Sequence, residues 1–440
     1  MKQTLFGTDG VRSTVGSAPF TLSQLSRFAV AVAQWTQKKY ARPRILIAQD
    51  TRSSCDWIAT TIQSALLAHG TQVFAAHVAP TPLVGALLHH TTQFDCGIII
   101  SASHNPHTDN GIKLVDAHSG KLSPEDEQEI EELFALGIQS NINYAQLGTL
   151  HTVADAHEQY TAIIRPFFET DFLRGITVVL DCANGATHAI APHIFTAFGA
   201  RVITINAKPN GTNINDVCGA LHPEQLQEAV VTHNAHAGFA FDGDGDRVIA
   251  VNKHGVLKNG DDILALLSTH PHYRDEPAIV GTIMSNEGFA TFLKKQNKAL
   301  IRTPVGDKYV GAALKKENLL LGGEQSGHII MRDYLPTGDG IFTALRICQV
   351  MATSNVWDFE TFIQFPQILI NVPITHKCDL AQQPFDQLIK YHEGQLEQGR
   401  LIVRYSGTEL LLRVMVEDIN VNHAQTIGTA LACALEKELN

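Results

Sequence analysis

The feature that most constrains this chain is a repeated alternation. Short apolar runs rich in β-branched residues end in polar, glycine-containing loops, and longer segments of helical period follow them. A largely parallel sheet covered by helices requires such a pattern, because each crossover must return over a face of the sheet. The first cycle is a strand at 44–48, a helix over 56–69 closed by Gly70, and a strand at 72–76. A third strand, 96–100, ends in Ser101-Ala102-Ser103-His104-Asn105-Pro106. Ser123-Pro124-Glu125-Asp126 offers an N-cap, a proline at the first helical position and acids in the first turn, and the acidic run through Glu132 reads as a solvated helix face.

The alternation recurs twice. Strand 176–180 feeds Asp181-Cys182-Ala183-Asn184-Gly185, a helix to Phe198 and a strand at 201–205, and strand 237–241 runs into Asp242-Gly243-Asp244-Gly245-Asp246-Arg247. A third cycle has strand 278–283, a helix after Asn286, strand 319–321 leading to Gly322-Gly323-Glu324-Gln325-Ser326-Gly327-His328, and a helix over 338–351. The last stretch breaks the rhythm, with strands near 368–372, 401–404 and 411–416 and a closing helix over 422–439. A length of 440 residues sets an expectation of about three domains. The change of rhythm raises this to four: α/β domains at 1–152, 153–251 and 252–367 with mixed or parallel sheets, and a smaller α+β domain at 368–440.

Charge restricts the partners. Lys and Arg number 33 against 44 Asp and Glu, a net of −11, so the chain has no global basic field for nucleic acid or an anionic membrane. An anionic ligand therefore needs a locally built positive site. No signal-like or bilayer-length apolar run is present, which leads to the expectation of a cytoplasmic protein. The 7 cysteines form no C-x-x-C pair and read mostly as core thiols. Asn210-Gly211-Thr212 reads as a turn rather than a glycosylation site.

Four loops carry candidate chemistry. Asp242, Asp244 and Asp246 alternate with glycines that let the backbone curl, so their carboxylates can converge on one divalent cation. An EF-hand fails, since its sixth position would be Arg247 and its twelfth Lys253. A phosphatase using the first Asp as nucleophile leaves the third Asp without a role. Mg²⁺ is favoured as the oxygen-liganded partner of phosphate substrates. The 101–106 loop offers two hydroxyls and an imidazole; a protease-like triad lacks both G-x-S-x-G and a partner acid. A phosphoryl group on Ser103 facing a metal held by the three aspartates would make one coherent site. Glu324, Ser326 and His328 suit sugar hydroxyls, which need donors and acceptors. Arg404-Tyr405-Ser406-Gly407-Thr408-Glu409, followed by Arg413, resembles a phosphate cradle without the lysine of a P-loop. Taken alone, either of the last two loops also reads as a structural turn.

Together the loops resemble the α-D-phosphohexomutase superfamily. The resemblance runs the length of the chain through Phe6-Gly7-Thr8-Asp9-Gly10-Val11-Arg12, residues 101–106 with Asp109-Asn110-Gly111-Ile112-Lys113, then 242–247, 280–286, 305–310, 322–328 and 404–409. It implies four domains around a central cleft, each contributing a loop. Ser103 would carry the phosphoryl group, and Asp242, Asp244 and Asp246 would hold Mg²⁺ with an oxygen of the phosphoserine. Phosphoserine would donate to O1 of a hexose 6-phosphate, giving a 1,6-bisphosphate that turns round and returns its other phosphate to Ser103. Arg12, Lys113 and Arg247 would surround the transferring group with positive charge, with His104 also catalytic, and Lys113 or His328 would move the hydroxyl proton. Glu324 and Ser326 would grip the sugar, and Arg404, Ser406, Gly407, Thr408 and Arg413 the non-reacting phosphate.

Gln325 favours the branch acting on glucosamine phosphates, which feeds UDP-N-acetylglucosamine and cell-wall polymers, over the mannose and glucose branch, which commonly has Met there. The implied partner is a small phosphosugar, and the resemblance admits a homodimer. From other classes, a metal-dependent phosphatase predicts net phosphate release and a Ca²⁺-binding module predicts no turnover. Ser13, Tyr405 and Leu410 depart from the family pattern beside the first and last motifs.

Overall fold

The computed structural model describes residues 5–7, 10–116, 120–137, 142, 144–405 and 410–439. By internal contacts they divide into two compact units, 1–284 with 300–360, and 285–299 with 361–440.

The larger unit holds three sheets of one plan. In the first, the order is Val11–Thr14, Asp109–Asp116, Cys96–Ile100, Arg44–Gln49, Gln72–Val78, Leu150–Thr152. Arg44–Gln49 and Cys96–Ile100 are almost wholly buried and pair in parallel, as continuous apolar runs do when both sheet faces are covered. Asp109–Asp116 then returns antiparallel to Cys96–Ile100, with Lys113 opposite Ile99, and Val11–Thr14 pairs outside it with Arg12 opposite Gly111. The serine loop is thus the connection of a hairpin, with Lys113 on one of its strands and Arg12 on the strand paired outside it.

The second sheet repeats this. Ala237–Phe241 is parallel to Thr177–Asp181 on one side and antiparallel to Val248–Asn252 on the other, so the aspartate loop is also a hairpin turn. In the third, Leu321–Gly323 is parallel to Ala278–Thr282 and antiparallel to Ile329–Met331, and residues 324–328 form the turn. Here the strand begins two residues later than the leucine run suggests. Gly322 and Gly323 belong to the strand because they pair in the ladder with Val280, Ile330 and Ile329, and neighbours crowd both: a Cβ on Gly322 would lie 2.9 Å from Val280, and one on Gly323 2.6 Å from the His328 carbonyl oxygen.

The acidic helix also differs from expectation. Pro124–Leu136 starts as read, with the Ser123 hydroxyl accepting from the Asp126 amide at 3.1 Å. Its acids are not simply solvated. Asp126 accepts from the Trp35 indole at 2.9 Å and from Lys39 at 2.6 Å, Glu129 pairs with Lys38, and Glu131 takes the amides of Leu5 and Phe6. The run serves the basic end of helix Leu22–Lys39, whose Leu25, Phe28, Val32 and Trp35 are buried at helical spacing. The helix expected over 338–351 spans Gly340–Ser354 and is capped by Asp339, which accepts the Phe342 amide at 2.9 Å. Asn210 closes the expected turn by accepting from the amides of Thr212 and Asn213. The cysteines are free thiols, five of them buried.

The smaller unit is an antiparallel sheet in the order Gln367–Pro373, Leu411–Asp418, Gly399–Tyr405. Helix Val421–Leu439 buries Ile427, Leu431 and Leu435 in the same core as Val372, Leu412, Val414 and Val416. Helix Glu287–Lys295 groups here too, because the Asn286 amide side chain exchanges two hydrogen bonds with the Phe365 backbone, both 2.9 Å. Among the described residues, no helix is long and apolar enough to cross a membrane.

Candidate active site

Two of the hairpin loops meet at Ser103. Its hydroxyl donates to Asp242 Oδ2, from the loop of the second sheet, and lies 3.3 Å from His104 Nδ1. Ser103 is fully buried and has φ of +52°, a left-handed conformation that costs an L-residue about 1–2 kcal/mol. The chain spends this strain on aim, since the same turn sends the Ser103 amide to Ser101 Oγ at 2.9 Å and the hydroxyl to the aspartates.

Asp242, Asp244 and Asp246 are each at most 4% exposed, and one ligand oxygen from each lies within 4.8 Å of the others. Asp242 Oδ1 accepts from the amides of Gly245 and Arg247, which fixes the curl of the loop. Burial, with the charges of Asp244 and Asp246, pushes the Asp242 carboxyl well above the usual range. Burial also opposes the charge on Asp246, but Lys113, His328 and Arg247 outweigh it and hold that carboxyl well below the usual range. Lys113 Nζ bridges Asp244 and Asp246 at 2.8 and 2.7 Å. Asp244 Oδ1 and Asp246 Oδ1 have no hydrogen-bond partner among the described residues. Asp246 Oδ1 is met at longer range by His328 Nδ1 at 3.6 Å and Arg247 Nε at 3.9 Å. Buried carboxylate oxygens that accept no hydrogen bond, beside a third carboxylate, are the donor set of a hard divalent cation.

Of the remaining predicted residues of this unit, Arg12, His104, Arg247 and His328 lie against the two loops. Arg247 Nη1 donates to His104 Nδ1 at 3.1 Å. Burial, reinforced by Arg247 and Arg12, lowers the His104 pKa to about 4, so the ring is a neutral acceptor that orients the guanidinium. Arg12 reaches the Ala102 carbonyl at 3.5 Å. His328, 3% exposed, places Nδ1 3.6 Å from Asp246 and accepts the Gly338 amide at Nε2. Burial disfavours its cation, yet Asp246, Asp307 and Glu324 raise its pKa. The Gly338 contact puts the ring proton on Nδ1, facing Asp246. Glu324 is 8% exposed and takes the Gly306 amide at 2.9 Å, whereas Ser326 is exposed.

In the smaller unit, Arg404 and Arg413 stand directly opposite each other in the ladder. Like charges at a cross-strand position destabilise a sheet, and an anion relieves the conflict. Ser406, Gly407 and Thr408, expected in the same cradle, lie outside the described residues.

Several residues at the site have no role assigned from the sequence, although Asp307 falls in the 305–310 segment of the resemblance. Thr81 donates its hydroxyl to Asp244 Oδ2 at 2.6 Å and its amide to the Asp244 carbonyl. Asp307 lies 3.6 Å from His328 Nε2 and pairs with Lys121. Asp50, Arg52 and Asn215 hydrogen-bond to the serine loop. Only the polar Asp50-Thr51-Arg52 at the end of an apolar strand could have drawn notice to them.

Comparison with known proteins fits this geometry. Four domain families match in order: phosphoglucomutase/phosphomannomutase α/β/α domain I over residues 3–139, domain II over 158–255, domain III over 259–364, and the C-terminal domain over 369–427. The chain belongs to the phosphoglucomutase/phosphomannomutase family of phosphohexomutases, isomerases that move a phosphoryl group within a sugar phosphate. Within it, the chain is 39% identical to phosphoglucosamine mutase of Coxiella burnetii, covering 99% of both chains, and 39% identical to that of Solibacter usitatus over 100% of both. Its fold is shared with a phosphoglucomutase/phosphomannomutase family protein of Burkholderia thailandensis (TM-score 0.81, 19% identity, 100% and 99% covered). It is shared also with Aspergillus fumigatus N-acetylphosphoglucosamine mutase, solved with GlcNAc-6P and magnesium (TM-score 0.68, 16% identity, 99% and 96% covered).

Proposed function

We propose that this chain is a cytoplasmic enzyme that interconverts glucosamine 6-phosphate and glucosamine 1-phosphate through a phosphorylated Ser103 and a 1,6-bisphosphate intermediate. The observation that carries the proposal is the Ser103 hydroxyl seated on Asp242 inside a buried aspartate triad. The full-length likeness to phosphoglucosamine mutases supports the amino sugar. In this reading the domains run 1–152, 153–251, 252–367 and 368–440.

Asp242, Asp244 and Asp246 would hold Mg²⁺ with a phosphoserine oxygen, and the ion would neutralise and polarise the phosphoryl group. Arg247, oriented by neutral His104, and Arg12 meet the charge that spreads over the phosphoryl oxygens in transfer. The proton of the attacking sugar hydroxyl passes to the network of Lys113, Asp246 and His328, in which Asp246 touches both candidate carriers. Glu324 and Ser326 bind sugar hydroxyls. Arg404 and Arg413, with Ser406, Gly407 and Thr408, bind the non-reacting phosphate. Because the two ends of a hexose bisphosphate present the same group, one site serves both half-reactions once the intermediate turns round.

The test is turnover of glucosamine 6-phosphate against mannose and glucose 6-phosphates, with inorganic phosphate followed in parallel and intact mass read for one phosphate at Ser103. Preferred isomerisation of the amino sugar without net phosphate release is expected. Preference for an unaminated sugar would move the chain to the other branch. Full activity of Ser103→Ala with added 1,6-bisphosphate would remove the phosphoserine from the mechanism.

A further inference from the structure

Ser103 is held in its left-handed conformation by two side chains that never reach its hydroxyl. Arg52, 2% exposed, donates through Nη2 to the carbonyls of Ser103 at 3.2 Å and Asn105 at 2.6 Å, and through Nε to that of Asp109 at 2.9 Å. Asn215, from the second sheet's connecting segment, sends Nδ2 to the same two carbonyls, at 2.9 and 3.2 Å. Two donors from different parts of the chain therefore converge on one pair of acceptors. Asp50 anchors the arrangement from inside. It takes Arg52 Nη1 and the Arg52 amide at 2.9 Å each, and the Ser101 hydroxyl at 2.6 Å, whose oxygen accepts the Ser103 amide. Burial raises the Asp50 pKa, and the guanidinium and Ser101 oppose the shift.

We infer that Asn215 and the Asp50–Arg52 pair are positioning residues for phosphoryl transfer, clamping the Ser103 carbonyl so that Oγ stays on the aspartate triad in both half-reactions. The inference rests on the phosphoserine reading above. A left-handed serine relaxes to negative φ unless its peptide is held on both sides. Here Ser101 holds the amide and Arg52 with Asn215 the carbonyl, so relaxation would rotate Oγ away from Asp242. The acceptor hydroxyl and the later phosphate must each be met within a fraction of an ångström, and a displacement of about 1 Å costs on the order of a hundredfold in rate. Drawing one donor from the loop after Arg44–Gln49 and the other from the segment after Arg201–Ile205 also makes the serine's aim depend on the docking of the segment that precedes the aspartate loop.

Asn215 is the residue to change, since it is partly exposed and carries no buried charge. In Asn215→Ala, kcat per phosphorylated molecule should fall about tenfold or more, with KM within about twofold and an unchanged Mg²⁺-induced shift in melting temperature. Asn215→Asp should fall further, because a carboxylate would face two carbonyl oxygens, whereas Asn215→Gln should recover part of the rate. Arg52→Lys, which keeps the charge but loses the fork, should show the same split. A purely structural role would lower melting temperature and active fraction while leaving kcat per phosphorylated molecule at the wild-type value, and that result overturns the inference. Phosphate occupancy by intact mass separates the two readings. An unphosphorylated, fully active wild type overturns the phosphoserine assignment and this inference with it; a phosphorylated wild type whose Asn215→Ala form transfers at full rate overturns the clamp alone.

Discussion

Gly243 offers a direct test of how tightly the aspartate loop and the serine loop are fitted together. A Cβ built there would lie 2.5 Å from the Ser103 carbonyl oxygen, 2.8 Å from Asn215 Nδ2 and 2.9 Å from Ile214 Cδ1. Ordinary contact begins at 3.4 Å, so Gly243→Ala demands about 0.9 Å (3.4 − 2.5) of movement between the loops. Backbone is the nearest obstacle, and no side-chain rotation relieves it. Overpacking of this kind costs roughly 1–3 kcal/mol in stability. The same displacement separates Ser103 from Asp242, so kcat should drop on the order of a hundredfold. Gly311→Ala is the matched control. It lies within helix Asp307–Lys316, its nearest neighbour would be Ile330 Cδ1 at 4.0 Å, and the helix should gain up to about 1 kcal/mol with activity unchanged. Thermal unfolding and steady-state kinetics of both variants decide the matter. A Gly243→Ala enzyme with wild-type kcat and melting temperature would show that the loops yield freely, and the argument from a fixed serine would fail.

Asp339 is buried against the hydroxyls of Tyr160 and Tyr334 at 2.6 and 2.9 Å, and burial outweighs those bonds to raise its pKa from 3.8 to about 6. A raised carboxyl binds its proton more tightly folded than unfolded, so it costs nothing below pH 4, and stability falls by roughly 3 kcal/mol as pH rises to about 6 and stays level above. Asp339→Asn should lose that slope in unfolding measured from pH 4.5 to 7.5, and parallel curves for the two proteins would refute the assignment. Mg²⁺ at about 100 times its dissociation constant should stabilise the wild type by roughly 2.7 kcal/mol, and Asp244→Asn should abolish the shift; an equal shift in both places the ion elsewhere. Arg413→Gln removes one of two opposed guanidinium groups, so KM for the sugar phosphate should rise about ten- to a hundredfold while phosphorylation of Ser103 persists; an unchanged KM would exclude it from the phosphate site.

What could be read from the sequence was whatever chemistry is local. Asp242, Asp244 and Asp246 announce themselves because side chains on one tight loop must converge, and Ser123 because its cap bond spans three residues. The clamp on Ser103 had no such mark. Arg52 and Asn215 act on backbone carbonyls, which every residue possesses, across separations of 51 and 112 positions. The leucines at 319–320 misplaced a strand because apolar character reports burial, whereas the strand's limits follow from its pairing with Val280 and with Ile329–Met331, where glycines at 322 and 323 admit the close neighbours. The acidic helix misled for a related reason: charge alone does not distinguish a solvated face from one committed to Trp35, Lys38 and Lys39.

The shared plan of the three sheets accounts for where the chemistry sits. In each, a buried strand paired in parallel on one side turns directly into an antiparallel neighbour, and the reactive loop is that turn. A loop leading into a crossover helix is anchored to the sheet at one end, but a hairpin turn is anchored at both, and its residues inherit the sheet's rigidity. In the proposed mechanism the phosphate is given up and taken back at one point while the sugar turns round between the two events, and that fixity has to come from the protein because the substrate does not supply it. The strained φ of Ser103, the glycine at 243 and the twin donors on the Ser103 carbonyl are three expressions of the same requirement. Loosening any one of them should reduce the rate of transfer more than the affinity for the sugar.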